Sequence, residues 1–296
     1  MSEPKPHPRL ICVVVNWNGA ADTLACLESL RRQDYDNLGV VVVDNGSADS
    51  SVEQIRGAHP WITLHETGTN LGFPAGCNVG TRIAYQQGAD LIWLLNNDTV
   101  APPTTATSIV RTALAHPDAG AIGCVLYYLQ HPQEVQAWGG GRVDLRSAFV
   151  THFTRPTSFS EPNTFFTGAS LTLPRRICEE VGIFFEGFFM YCDDSDLCLR
   201  IHRRGYSLVM AEDTAILHRE GGSSPKRSPL IDQFATTSTL RMLERAVTHP
   251  LLSFSVYLGL RLANRILRLQ WKNLAAVCRG AAIFWHERDR QFTDQL

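Results

Sequence analysis

Along the first hundred residues, short unbroken apolar runs alternate with stretches of helical period. LICVVV at 10–15 and GVVVV at 39–43 are β-branched runs bounded by polar turn residues, and a weaker run covers 62–66. LIWLL at 91–95 is a fourth run, leading straight into Asn96, Asn97, Asp98 and Thr99. Runs of this length without polar alternation predict strands buried on both faces of a parallel sheet. Between them, Ala21, Leu24, Leu27 and Leu30 recur at helical spacing over 20–32. Asp49 and Ser50 precede a helix over about 51–57, and a third helix is expected over about 76–87. Alternating strands and helices imply a doubly wound, mostly parallel α/β sheet with right-handed crossovers.

Beyond Pro102-Pro103 the pattern predicts a helix over 104–115 and a strand over AIGCVLYYL, 121–129. Residues 131–163, with Gly139-Gly140-Gly141 and several Pro and Ser, read as an irregular insertion with room for a hairpin. Order resumes with FFTGASLTL at 165–173 and a helix from about Arg175. From about 230 the chain reads as helical to its end. The expected division is 1–229 as the α/β domain, with 9–100 as its nucleotide-binding half and 101–229 as its acceptor half, followed by a helical region over 230–296.

Three strands end in polar clusters: Asn16 to Gly19, Asp44 to Ser47, and Asn96 to Thr99. In a parallel sheet these ends share one edge, where open α/β sheets bind ligands, so the clusters are expected to converge on one crevice. Asn96 and Asp98 lie two apart and point to one side of an extended chain; an amide oxygen beside a carboxylate suits a hard divalent cation that also holds a diphosphate. Asp44 can accept from a base N–H or cap the turn at Ser47. Gly72, Gly76 and Gly80 recur every four residues, which is not the dinucleotide fingerprint G-x-G-x-x-G. Gly76 and Gly80 suit close packing of a helix on the sheet; Asn70 and Gly72 suit either that or approach to a nucleotide.

The second informative stretch is YCDDSDLCLR at 191–200. Asp193, Asp194 and Asp196 crowd a helix start, more carboxylates than a cap needs, and one of them can serve as a general base. Successive residues fan out by about 100° on a helix, so the three have different roles. Asp193 is expected outermost, Asp194 toward the crevice, and Asp196 turned away, within reach of Arg200 at i,i+4. His218 ends the strand-like run TAILH and is a candidate metal ligand.

VVVNWNG, VVVDNGSADSS, NLGFPAGCNVG, LLNNDT, FTGASLTL, FMYCDDSDLCLR and HREGGSS, in this order, resemble the family 2 inverting glycosyltransferases of the GT-A fold. Within that family they are most similar to bacterial rhamnosyltransferases of cell-surface polysaccharide synthesis. The resemblance covers roughly residues 9–225. It implies a nucleotide-sugar donor, here dTDP-L-rhamnose, a divalent metal (Mg or Mn) and single displacement at the anomeric carbon. By the same resemblance Asp98 and His218 hold the metal, Asp194 is the catalytic base and Asp44 meets the nucleotide base. Asn16, Asn18, Asn70, Gly72, Asn96, Asn97, Gly168 and Asp193 are the other implied substrate contacts. Two departures stand out: Asn96 replaces the first Asp of the family's D-x-D, and Asp193 replaces the Glu that usually precedes the base. An Arg-Asn pair common after the His has no counterpart in FATTSTLRML.

Composition narrows the alternatives. The 296 residues carry a formal charge of −2, against a general nucleic-acid binder. Eight cysteines without a C-x-x-C pair read as reduced core thiols of a cytoplasmic protein. MSEPKPHPRL has no apolar signal core, and no apolar run reaches bilayer-spanning length. Within 251–271 Arg261, Arg265 and Arg268 share one helical face among Leu, Ile and Phe. That face is expected to lie on an anionic membrane or to pack against the protein or a second subunit, and the contact region extends to 285. A nucleotidyltransferase would want a Gly-rich, Lys-containing loop after the first strand, which Asn16-Trp17-Asn18-Gly19 is not. The remaining rivals are a transferase for another nucleotide sugar (glucosyl, galactosyl or N-acetylhexosaminyl) and a non-catalytic sugar-nucleotide-binding subunit. The acceptor expected from the resemblance is a glycan or polyprenol-linked glycan at the inner membrane face.

Overall fold

The computed structural model describes residues 7–219 and 228–293. Of the HREGGSS segment only His218 and Arg219 fall within them; residues 220–224 lie outside the described residues.

The first half is the expected alternation: β1 (Leu10–Asn16), α1 (Ala20–Arg31), β2 (Leu38–Asp44), α2 (Ser51–Ala58), β3 (Thr63–Glu66), α3 (Phe73–Gln86) and β4 (Leu91–Asn96). Then come β5 (Thr99–Val100), α4 (Thr105–Ala115), β6 (Ala119–Tyr128), β7 (Val135–Trp138), β8 (Gly140–Asp144), β9 (Phe149–His152), β10 (Thr164–Phe166) and β11 (Ser170–Pro174). The described chain closes with α5 (Arg175–Glu180), α6 (Asp193–Arg203), β12 (Ser207–His218), α7 (Pro229–Ala246), α8 (Leu251–Leu267) and α9 (Trp271–Thr293). The main sheet has the order β3-β2-β1-β4-β11-β6-β12-β5. It is parallel through β3, β2, β1 and β4, but β11 runs antiparallel to both β4 and β6, so the sheet is mixed.

Strand alternation divides the apolar runs between two cores. Cys12, Val14, Val42, Trp93 and Leu95 face one side, where Leu27 of α1 and Ile109 of α4 cover them. Val13, Val43, Ile92 and Leu94 face the other, beneath Cys77 of α3 and Leu197 of α6. Each such side chain, fully buried, contributes about 1.5–3 kcal/mol. The buried Trp93 indole is satisfied, donating to Ser170 Oγ at 3.0 Å across the β4–β11 pair. Gly80 packs α3 onto the sheet: a Cβ there would stand 2.2 Å from Val13 Cγ1.

Several boundaries differ from the pattern-based reading. Helix α3 starts at Phe73, three residues early, because Pro74 is well placed in a first helical turn. The run 165–173 is interrupted between β10 and β11, and the intervening turn belongs to the site. The 131–163 insertion contains β7 and a β8–β9 hairpin, which β10 extends to a three-stranded sheet. These strands are only three to five residues long, and β8 opens on two glycines, so they carry little period-2 signal. The TAILH strand begins eleven residues before its His, with a register shift between Ala211 and Ala215.

The C-terminal helices are tied together by one carboxylate. Asp232 on α7, 2% exposed, accepts from Arg261 Nη2 (2.7 Å) and Arg265 Nη2 (2.6 Å) of α8 at Oδ1, and from Asn273 Nδ2 (2.7 Å) of α9 at Oδ2. Of the placements expected for the arginine face, Arg261 and Arg265 take the one that packs against the protein. Arg261 and Arg265 do share a helical face, but it turns inward, because a buried carboxylate needs paired donors. Arg268, capping α8, is exposed. Removing Asp232 strands two guanidinia that retain about a fifth to a quarter of their exposure. Asp232→Ala should therefore lower unfolding free energy by roughly 3 kcal/mol, the lower end for a broken buried pair, measurable by urea denaturation.

Candidate active site

The parallel pairing aligns the strand ends residue for residue: Asn16 stands opposite Asp44, and Val15 opposite Asn96. At that edge the side chains form a connected network. Asn16 Nδ2 donates to Asp44 Oδ2 at 2.8 Å and to Ser47 Oγ at 3.1 Å, while Thr23 Oγ1 donates to Asn16 Oδ1 at 2.7 Å. Asn97 Nδ2 donates to Thr23 Oγ1 at 3.0 Å, joining the central strand's turn to the same network. The Asp44 carboxylate also accepts from the Ser47 backbone N–H (3.0 Å) and hydroxyl (2.7 Å), so it caps this turn. Asn16 and Asp44 are 0% and 2% exposed and hydrogen-bond each other. The exposed member is Asn18, held in the left-handed region at φ 50°, which accepts from Ala48 N and donates its own N–H to Ser47 Oγ.

The NLG loop docks through a residue that pattern reading passed over. Asn45 Nδ2 donates to Asn70 Oδ1 (3.2 Å) and to the Gly72 carbonyl (3.0 Å), and its Oδ1 accepts from Leu71 N (3.1 Å). Gly72 has φ 88°, and a Cβ there would stand 2.5 Å from the Phe189 carbonyl oxygen. That carbonyl accepts from Phe73 N at 2.9 Å. Gly72 therefore brings the loop against the segment that leads into the three aspartates.

At the end of β4, Asp98 Oδ1 lies 3.2 Å from His218 Nε2, and Asn96 Nδ2 lies 3.4 Å from the same nitrogen. The Asp98 and His218 side chains are 12% and 11% exposed. His218 Nδ1 is 2.7 Å from Gln136 Oε1, which orients the ring with Nε2 toward Asp98. One carboxylate and one imidazole fit a divalent ion that draws its remaining ligands from water and a diphosphate. No group of three His, Cys, Asp or Glu able to hold a metal by themselves occurs among the described residues.

The acidic triplet separates by environment. Tyr191 and Cys192 both adopt left-handed φ (72° and 64°), turning the chain sharply so that α6 starts at Asp193. Asp196, 3% exposed, is paired with Arg200 Nε (2.9 Å) and Arg245 Nε (2.8 Å), the expected partner and one more. Asp193 is not the outermost of the three: it is buried at 5% exposure. Burial, with the neighbouring Asp194 charge, pushes its carboxyl up to about 8. Asp194 lines a cavity of about 530 Å³ together with His152, Phe165, Tyr191, Tyr257 and Arg261. Its Oδ2 accepts from Gly168 N (2.9 Å) and its Oδ1 from Ser195 N (2.6 Å). Burial raises the Asp194 carboxyl as well, but these two N–H groups favour its charged form, so in the pair Asp194 holds the charge and Asp193 the proton. The next residue after Gly168 links this to the metal-type cluster, since the Ala169 carbonyl accepts from Asn96 N at 3.0 Å.

The Glycosyl transferase family 2 model matches residues 11–182. The chain belongs to glycosyl transferase family 2. Its mixed sheet with flanking helices is a GT-A fold. It is 25% identical over 212 residues to N-acetylglucosaminyl-diphospho-decaprenol L-rhamnosyltransferase of Mycobacterium tuberculosis, covering 63% of this chain and 68% of that one. It is 26% identical over 227 residues to O-antigen biosynthesis protein RfbC of Myxococcus xanthus, covering 72% of this chain and 17% of that one. Among solved structures, mannosyltransferase PcManGT from Pyrobaculum calidifontis, in complex with GDP-Man and Mn2+, superposes with TM-score 0.57 at 21% identity over 94% of this chain and 87% of that one. GalNAc-T7 with UDP, GalNAc and Mn2+ gives TM-score 0.67 at 14% identity, covering 98% of this chain and 58% of that one. These two establish the fold alone.

Thr23, Asn45, Gln136 and His152 were not singled out by the pattern. Asn45 lies inside a turn cluster that was, but Gln136 and His152 sit in the insertion and had no local signal. A raised folded-state carboxyl favours folding while protonated. That contribution is full below the ordinary Asp range and is lost as pH rises through the folded value. The melting temperature should therefore decline between roughly pH 4 and 8, and Asp193→Asn should flatten that decline in a calorimetric pH series.

Proposed function

We propose that this transferase is an inverting rhamnosyltransferase. It moves L-rhamnose from dTDP-L-rhamnose onto a lipid-linked glycan in cell-surface polysaccharide synthesis, at the inner face of the membrane. The observation that carries the reading is Asp194, gripped by the Gly168 N–H in a turn whose next carbonyl bonds the strand end bearing Asn96, while the same side chain lines the cavity. The rhamnosyl assignment and the diphosphate-lipid acceptor are supported by the mycobacterial relative's name.

In this reading the acceptor sugar enters the cavity and its hydroxyl approaches Asp194. Asp194 takes the hydroxyl proton as the acceptor oxygen attacks the anomeric carbon, which becomes oxocarbenium-like while its bond to the diphosphate oxygen breaks. Attack from the face opposite the diphosphate inverts the anomeric centre. Asp98 and His218 would hold a divalent ion, which supplies charge neutralisation at the departing diphosphate. Asn18 and Asn97, on the outer side of the Asn16–Asp44 network, contact the donor. Asp193, held neutral, leaves Asp194 as the single charge of the pair.

Asp194→Asn preserves size but cannot take a proton. Its turnover should fall by roughly 10²–10⁴ with donor binding nearly unchanged. The wild-type rate should rise with pH through a limb above the ordinary carboxylate range, since burial raises this group. Full activity in Asp194→Asn would move the base elsewhere.

Asp98→Ala should abolish metal-dependent release of nucleoside diphosphate while leaving the melting temperature near that of the wild type. A panel of nucleotide sugars tested by thermal shift with Mg and Mn should give its largest stabilisation with dTDP-L-rhamnose. A larger shift with a UDP- or GDP-sugar would replace the donor, and shifts without any turnover would favour a binding subunit.

A further inference from the structure

Helix α8 buries Phe254 and Tyr257 in the core, yet it is apolar on its outer side as well. Its charged residues point inward, as Arg261 and Arg265 meet Asp232. Its outward side is apolar: Leu251 is 65% exposed, Leu252 58%, Leu260 59%, Ile266 48% and Leu267 84%. The geometry is consistent along the helix. At about 100° per residue, Ile266 and Leu267 return to within about 60° of Leu252, whereas Arg261 stands about 180° from it. The apolar surface continues round the corner into α9, with Leu269 at 70% and Trp271 at 59% exposure. A contiguous apolar patch of this kind is costly in water and signals a covering surface.

Two observations identify the cover. Residues 251–286 contain no Asp or Glu, while the exposed corner interleaves Arg268 and Lys272 with Leu267, Leu269 and Trp271. Leucines with a Trp and cations at one level match the boundary between acyl chains and anionic headgroups. Two copies of this face set together would oppose Arg268 and Lys272 with no acidic partner from the same stretch. The second observation is position: Leu260, Arg261 and Asn264 of α8 form part of the wall of the Asp194 cavity. The apolar face therefore runs up to the cavity that holds the candidate base. No helix among the described residues is long and apolar enough to cross a membrane.

We propose that α8 lies in the surface of an anionic bilayer, its Leu252, Leu260, Ile266 and Leu267 side buried in the acyl boundary and Arg268 and Lys272 at the headgroups. The Asp232 pairs fix the roll of the helix that turns this side outward. The cavity then opens at the level of the lipid surface, where an acceptor carried on a lipid presents its sugar.

The test is flotation of the full chain with vesicles of mixed phosphatidylglycerol and phosphatidylcholine, a readout independent of sugar transfer. The wild type should float, less well with pure phosphatidylcholine and less at high salt. Leu252→Ser/Ile266→Ser/Leu267→Ser should partition at least about tenfold less, because three large apolar side chains lose their burial. Its melting temperature without vesicles should match the wild type, since all three are exposed. Arg268→Gln/Lys272→Gln should lose the preference for anionic vesicles while keeping residual flotation. A wild type that does not float overturns the proposal. So does a triple variant that floats as well as the wild type. A wild-type dimer in sedimentation that the triple variant dissociates, with no vesicle binding, assigns the face to a second copy instead.

Discussion

The arrangement depends on one pairing, the antiparallel hydrogen bonding of β11 against β4. Strand β4 ends in Asn96-Asn97-Asp98, and β11 begins just after the Gly168–Ala169 turn, so the pairing sets that turn beside the strand end. The Ala169 carbonyl then bonds Asn96 N and the Gly168 N–H bonds Asp194. A carboxylate from a helix a hundred residues away is thereby held at the edge where β1, β2 and β4 end. Were β11 parallel to β4, its leading turn would lie at the opposite edge of the sheet, away from Asn96.

Around this pairing the polar groups are sorted by how many donors each receives. Asp44 accepts three hydrogen bonds from Asn16 and Ser47, and Asp196 is paired with Arg200 and Arg245, so both are held in place. Asp98 and Asp194 keep accessible sides, one facing an imidazole and the other a cavity. The two differ in what surrounds the remaining lone pairs: a His and an amide suit an ion, whereas backbone N–H groups and an apolar wall suit a proton acceptor. Asp193 completes the contrast. Buried beside Asp194 without an arginine, it is the carboxyl that stays protonated.

The C-terminal helices follow the same logic with the opposite sign. A single buried carboxylate, Asp232, draws two arginines of α8 inward, while Leu251, Leu252, Leu260 and Leu267 lie outside. Electrostatics in the interior thus decide the character of the exterior.

Much of the nucleotide half was legible in the sequence. Unbroken β-branched runs and helical spacing determine the α/β alternation over residues 10–96, because burial on both faces leaves no alternative place for such strands. The polar strand ends followed from the same pattern, and the i,i+4 spacing of Asp196 and Arg200 predicted their pairing. The rest required the tertiary structure. The short strands β8 and β9 have no period to read, and the direction of β11 is a property of its neighbours. The burial of Asp193 rather than Asp194 depends on two consecutive left-handed residues, Tyr191 and Cys192, which no spacing rule anticipates. Most of all, a helical face is visible in sequence but its orientation is not. Arg261, Arg265 and Arg268 define a stripe by period alone, and only the placement of Asp232 decides that two of them point into the protein.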